Sequence, residues 1–220
     1  MNVPPHDAPL WALAGWPYVL FAFAVGSIPF GLLVGRAFFG TDIRAGGSGN
    51  IGAANALRTL GPKAGLGVLV LDALKGVVAV AVAWHAWPRG PLDPATGAWA
   101  LVPLAGLAAV LGHCYTPWLR LRGGKGVATF LGATFVLSPL SGLAFIAVWL
   151  ATVLPTGFAS LGSMLGVVAA GAVLVVTGGR YGDSSFVFAL GCTVIIVWKH
   201  RDNLSRLRAG TENRLKLLKR

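Results

Sequence analysis

Acidic residues are scarce in this chain. Seven Asp and Glu stand against eighteen Lys and Arg in 220 residues, and the four charged types together make up 11% of it. A soluble domain carries about 25%, so there are too few charges here to cover a surface facing water. The shortage of carboxylates also disfavours a magnesium-dependent phosphotransferase, which needs several to hold its metal. Cysteine is equally sparse. Cys114 and Cys192 lie far apart in sequence, which argues against a disulfide framework and against a thiolate metal site. His6, His85, His113 and His200 are isolated, without metal-ligand spacing. No metal and no cofactor is expected, and neither an internal repeat nor a low-complexity tract is visible.

What the chain has in quantity is apolar sequence: 55% hydrophobic residues and a mean hydropathy of +0.73. These values point to an all-α, polytopic integral membrane bundle, organised as a single domain over residues 1–220. Seven spans are expected, at roughly 14–36, 64–84, 98–113, 127–138, 140–154, 158–177 and 185–198. Only Ser138–Pro139 separates the fourth from the fifth; two membrane-depth half-helices joined by a tight turn are expected there, with one kinked helix as the alternative. The first apolar stretch lacks a basic leader and runs into a polar motif instead of a small-residue cleavage site, so it reads as a span and not a signal peptide.

Seven spans put the loops at 37–63 and 114–126 on the same side as the tail from 199 to 220. These segments hold Arg44, Arg58, Lys63, Arg120, Arg122, Lys125 and eight basic residues of the tail, whereas the opposite loops hold Arg89 and Arg180. Positive charge marks the cytoplasmic side. The N-terminus is therefore expected outside, with the tail and both glycine-rich loops inside. Asp72 and Lys75 fall within the second span, three residues apart and so on one helical face. Charges at that depth are expected to pair and to face the bundle, the alternative being a role in positioning the adjacent loop.

Three polar clusters share the cytoplasmic face. In "DIRAGGSGNIGAANALRTLGPKAG", Gly46, Gly47, Gly49 and Gly52 would let backbone amides approach an anion. Ser48, Asn50 and Asn55 add neutral polar groups, and Arg58 adds a guanidinium suited to phosphate; a flexible loop with a membrane-flanking Arg is the plainer alternative. In "GHCYTPWLRLRGGKGVATFLG", Lys125 sits between glycines just before a span. It is not a nucleotide P-loop, since Leu119 stands where the first Gly should be and Gly126 where Ser or Thr should follow the Lys. The helix beginning near Val127 would still point amides at an anion beside Lys125, the alternative being a simple positive anchor. His113 is either a structural residue or a base. In "KHRDNLSRLRAGTENRLK" the charges suit anionic headgroups, but His200 and Asn203 are not explained by that role. Arg58, Lys125 and Arg201 are the candidate cations. Together the clusters suggest a metal-free phosphate pocket opening towards lipid.

The motifs "SIPFG", "GSGNIGAANALRTLG", "GGKGVAT" with a His ten residues before its first Gly, and "HRDNLSRLRAGTE" occur in that order. In this the chain resembles the bacterial acyl-phosphate-dependent glycerol-3-phosphate acyltransferases (PlsY) over nearly its whole length. It departs from the family pattern at Ala54, where a hydroxyl is usual, at Thr116, which separates Tyr115 from Pro117, and at Leu121, where Phe is common.

The resemblance implies transfer of a fatty acyl group from acyl phosphate to the sn-1 hydroxyl of glycerol 3-phosphate. The products would be 1-acylglycerol 3-phosphate (lysophosphatidic acid) and phosphate, in the first acylation of bacterial phospholipid synthesis. The site would face the cytoplasm from the inner membrane, with acyl phosphate, glycerol 3-phosphate and membrane lipid as partners and no nucleic acid. Ser48, Arg58, Lys125 and His200 are the expected catalytic residues. Gly47, Gly49, Asn50, Asn55, His113, Gly123, Gly124, Gly126, Thr129, Arg201 and Asn203 are the expected substrate- or phosphate-binding residues. An acyl phosphate carries its own good leaving group, so no nucleophilic side chain is required. A substrate phosphate is the preferred proton acceptor, over His113 or His200. The competing class is a transporter for a phosphorylated solute. It should show pseudo-repeated halves and polar groups at the midplane; the polar motifs here gather on one face.

Overall fold

The computed structural model describes residues 16–85, 101–177, 181 and 183–215. Arg89 and Arg180, on which part of the charge bias rests, lie outside the described residues. So do His6, the ends of the expected first and third spans, and the last five residues of the tail.

All regular structure among the described residues is helical. The order is α1 (Trp16–Gly26), α2 (Phe30–Phe39), α3 (Ala53–Leu60), α4 (Pro62–His85), α5 (Leu101–Cys114), α6 (Val127–Leu137), α7 (Pro139–Thr156), α8 (Ala159–Thr177), α9 (Asp183–Lys199) and α10 (Arg201–Arg208), with short 3-10 turns at Ile43–Ala45 and Pro117–Leu119. Four stretches among the described residues are long and apolar enough to cross a membrane: Trp16–Phe39 taken across its break, α4, α7 and α8. Their outer surfaces carry large exposed apolar side chains such as Leu20, Phe38, Leu66, Leu143 and Val176. That is a surface suited to lipid tails.

The expected first span is broken. Pro29 has no amide hydrogen and cannot continue α1, so the helix stops at Gly26 and restarts at Phe30. The break leaves carbonyls without helical partners, which is costly away from water. Other elements satisfy them: Thr116 Oγ1 donates to the Ser27 carbonyl (2.6 Å) and Lys75 Nζ to the Ile28 carbonyl (3.0 Å). Lys75 is also ion-paired with Asp72 at 2.7 Å, and both side chains are buried. Thr116, a departure from the family pattern, thus supplies a donor that a Pro at that position would lack.

The division at Ser138 is present. Ser138 has extended backbone (φ −155°, ψ 104°), its Oγ accepts from the Ser141 amide, and Pro139 opens α7. α4 and α6 cross so closely that a Cβ on Gly76 would overlap the Thr129 carbonyl, and one on Gly132 the Ala73 carbonyl. Small residues permit this backbone contact. It fixes the start of α6, and hence Lys125 just before it, against α4. Phe130 stacks on Phe188 of α9 with ring centres 5.5 Å apart, which closes the core behind α6.

Candidate active site

The loop between α2 and α3 is built around one side chain. Asn55 is buried in α3. Its Oδ1 accepts from the Ser48 amide (2.7 Å), and its Nδ2 donates to the carbonyls of Ile43 (2.8 Å), Asn50 (2.8 Å) and Gly46 (3.2 Å). Asn50 Oδ1 in turn accepts from the Gly52 amide at 2.9 Å, and the Gly49 amide donates to the Gly46 carbonyl at 3.0 Å. The loop is therefore tied down internally. Two of the glycine amides expected to approach an anion, those of Gly49 and Gly52, are already engaged, as is the Ser48 amide. Among the described residues, the side chains of Ser48 and Arg58 have no hydrogen-bonded partner, and both line a cavity.

The second glycine loop folds back onto the end of α5. The Gly123 amide donates to the Cys114 carbonyl (3.2 Å) and the Gly124 amide to the His113 carbonyl (2.9 Å). Both glycines lie off the cavity wall, and their amides seat the loop. Gly126 has φ +84°, the left-handed region, and caps α6. Between them Lys125 points Nζ into the cavity, where it donates to Asn203 Oδ1 of α10. Burial lowers the Lys125 pKa to about 8; Glu212 pulls it upward, while Arg206 and Arg58 push it further down.

The third cluster completes the wall. His200 is buried at the α9–α10 junction with Nδ1 2.7 Å from the Ile196 carbonyl. A carbonyl only accepts, so Nδ1 carries the proton and Nε2 keeps its lone pair. Burial, and then the charge of Lys125, hold the His200 pKa down to about 4, so the ring is neutral at pH 7. After α10 the chain turns back across the cavity. Glu212 accepts from Ser160 Oγ (2.8 Å), Asn203 Nδ2 (2.6 Å) and Arg206 Nε (2.8 Å), and the Leu215 amide donates to the Gly157 carbonyl (2.7 Å). Burial opposes its charge, but the hydrogen bonds from Asn203, Ser160 and Arg206 outweigh it and hold the Glu212 carboxyl below its usual pKa.

These elements enclose a cavity of about 540 Å³ with two unlike ends. One end holds Ser48, Arg58, Lys125, His200, Asn203 and Arg206; the other runs between α4, α6 and α7 past Leu66, Leu69, Leu131, Ile146, Trp149 and Leu150. Leu66, Leu69 and Leu150 are exposed on the outer surface, so the apolar end opens sideways. Of the expected site residues, Asn50, Asn55, His113 and Gly126 also reach the wall, whereas Gly47, Gly49, Thr129 and Arg201 do not. Gly47 packs against Asn55, and Thr129 is enclosed in the α4–α6 seam. Arg201 points away, donating to the Trp198 carbonyl with its guanidinium 5.2 Å from the Trp198 ring. Arg206, one turn after Asn203 on the same face, stands in the place expected for it. Arg206, Glu212 and Ser160 were not expected in the site. Spacing signals only Arg206, since Asn203 and Arg206 share a helical face. Among the described residues no three His, Cys, Asp or Glu side chains stand together as a metal-binding group.

A family model described as glycerol-3-phosphate acyltransferase matches residues 16–210. The chain belongs to that family. Relatives of this acyltransferase family, each called glycerol-3-phosphate acyltransferase, include one from Geobacter sulfurreducens (48% identical over 195 residues, 89% of this chain and 94% of that one) and one from Myxococcus xanthus (44% over 203 residues, 89% and 97%). The fold is similar to the crystal structure of PlsY (YgiH), an integral membrane glycerol 3-phosphate acyltransferase, in its glycerol 3-phosphate form. The TM-score is 0.82 at 36% identity, covering 91% of this chain and 95% of that one. The lysophosphatidic acid form of PlsY matches with a TM-score of 0.79 at 35% identity. This family member is thus an all-helical membrane protein.

Proposed function

We propose that this chain transfers a fatty acyl group from acyl phosphate to the sn-1 hydroxyl of glycerol 3-phosphate. The products are 1-acylglycerol 3-phosphate and inorganic phosphate. The observation that carries this reading is the two-ended cavity: one end collects cations and neutral donors for phosphate, and the other is an apolar groove open to the side, suited to an acyl chain. The names borne by the relatives support the acceptor substrate.

In this reading Arg58 and Lys125 hold phosphate charge, with Arg206 beside them. Ser48 Oγ donates to the carbonyl oxygen as it gains negative charge. His200 and Asn203 orient glycerol 3-phosphate from the tail side. The sn-1 oxygen attacks the acyl carbonyl carbon, the bond from that carbon to the phosphate oxygen breaks, and phosphate leaves. The hydroxyl proton passes to a substrate phosphate oxygen. His200 is a poor base because its pKa is held down to about 4. The chain crosses the bacterial inner membrane seven times, with the N-terminus outside and the site on the cytoplasmic side. The lysine and arginine distribution supports that orientation.

The test is purified protein in detergent, given acyl phosphate and glycerol 3-phosphate without metal. Phosphate release that requires both substrates is the expected result. Release that ignores glycerol 3-phosphate means transfer to water and overturns the reading, and no release over a range of acyl chain lengths overturns it in favour of a carrier of phosphorylated solutes.

A further inference from the structure

Asp72 and His113 line the cavity, yet the reaction above gives them nothing to do. Both are buried. Asp72 is fixed from one side by Lys75, 2.7 Å away, and Lys75 is fixed in turn by the Ile28 carbonyl at the α1–α2 break. The same oxygen, Asp72 Oδ1, also faces His113 Nδ1 at 3.6 Å, an electrostatic contact and not a hydrogen bond. The opposite edge of the imidazole is where the loop before Lys125 rests: a methyl group added to Gly124 would overlap Nε2, Cε1 and Cδ2 of His113. The Gly124 amide donates to the carbonyl of the same histidine at 2.9 Å. A continuous line of contacts therefore runs from the broken first helix through Lys75, Asp72 and His113 to the residue preceding Lys125.

We propose that Asp72 is a positioning residue that acts through His113: the carboxylate orients the imidazole, and the Nε2 edge of the imidazole sets the height of the Gly123–Gly124 turn and so the place of Lys125 Nζ. His113 is then the seat of the phosphate-binding lysine and not a base. The role rests on the acyltransferase reading and adds to it a pair of residues that never touch substrate.

The test uses a cycle of substitutions, since residues acting through one another are non-additive. Gly124→Ala should lower kcat/KM for phosphate release about a hundredfold and His113→Ala about tenfold. The double variant His113→Ala, Gly124→Ala should recover at least about tenfold over Gly124→Ala, because the methyl then has room. Asp72→Asn should cost about tenfold in the parent and under about twofold in that double variant. If Asp72→Asn does not fold, Asp72→Asn with Lys75→Gln, which removes both charges and keeps a donor for Ile28, is read in the same two backgrounds. A double variant no better than Gly124→Ala means that His113 serves the substrate directly. An Asp72→Asn cost equal in both backgrounds means that it acts independently of His113. Either result overturns the proposal. Acylation of Lys125 by an amine-modifying reagent, followed by mass spectrometry, repeats the comparison without the transfer reaction. Asp72→Asn should change its rate at least about threefold in the parent only, and an unchanged rate overturns the positioning role even if the chain proves to use other substrates.

Discussion

Asn55 spends all four of its hydrogen bonds on the loop that precedes it. Asn55→Ala should therefore leave the part-buried Ser48 amide and three carbonyls short of partners and lower stability by about 1–3 kcal/mol. Thermal unfolding in detergent should show the fall, with transfer activity reduced through misplacement of Ser48. Lys125 is the other residue on which the site turns. Lys125→Ala should reduce kcat/KM by about a hundredfold or more, measured as phosphate release. Because its pKa is lowered to about 8, the ammonium is present below that pH and is lost above it. The pH profile of kcat/KM should fall through about 8, and Lys125→Arg should remove that limb from whatever activity remains. His200, held down to about 4, should add no ionisation between pH 5 and 7.

Helices are the scale at which the sequence was most legible. Long apolar runs bounded by Gly and Pro place α4 at Pro62–His85, against an expected 64–84, and α7 at Pro139–Thr156, against 140–154. The break in the first span was missed. Hydropathy runs straight through "SIPFG", and whether Pro29 kinks or ends the helix depends on whether other segments can serve the freed carbonyls. Thr116 and Lys75 do so from 89 and 47 residues away. Thr116→Val keeps the shape and removes the donor, so it should destabilise the protein by about 1–3 kcal/mol, seen as a lower unfolding temperature. The site divides in the same way. Lys125, His200 and Asn203 could be read from their motifs. Glycine content shows that amides can be exposed, but not which carbonyls or side chains take them, and so the engagement of the Gly49 and Gly52 amides was not foreseen. Arg206 and Glu212 acquire their roles only because the chain after α10 returns to the α7–α8 turn.

Across the whole molecule, the proposed orientation puts α3, α10 and the strap that follows it beneath the inner leaflet. Cys114 and Cys192 are fully buried, so the native thiols give a quiet background for labelling. A cysteine placed at Thr211, on the exposed strap, should react with a membrane-impermeant maleimide in inside-out vesicles and not in intact cells. The opposite pattern would reverse the topology and detach the site from the side where soluble glycerol 3-phosphate is made.

In the proposed reaction the groove that opens between α4 and α7 at Leu66, Leu69 and Leu150 would also govern traffic. A freshly esterified tail lying there already touches the bilayer, so the new lysolipid can slip away laterally and never has to be lifted through water. In the proposed orientation small anions would come and go from below while grease would enter and depart from the flank. The two streams do not compete for one doorway.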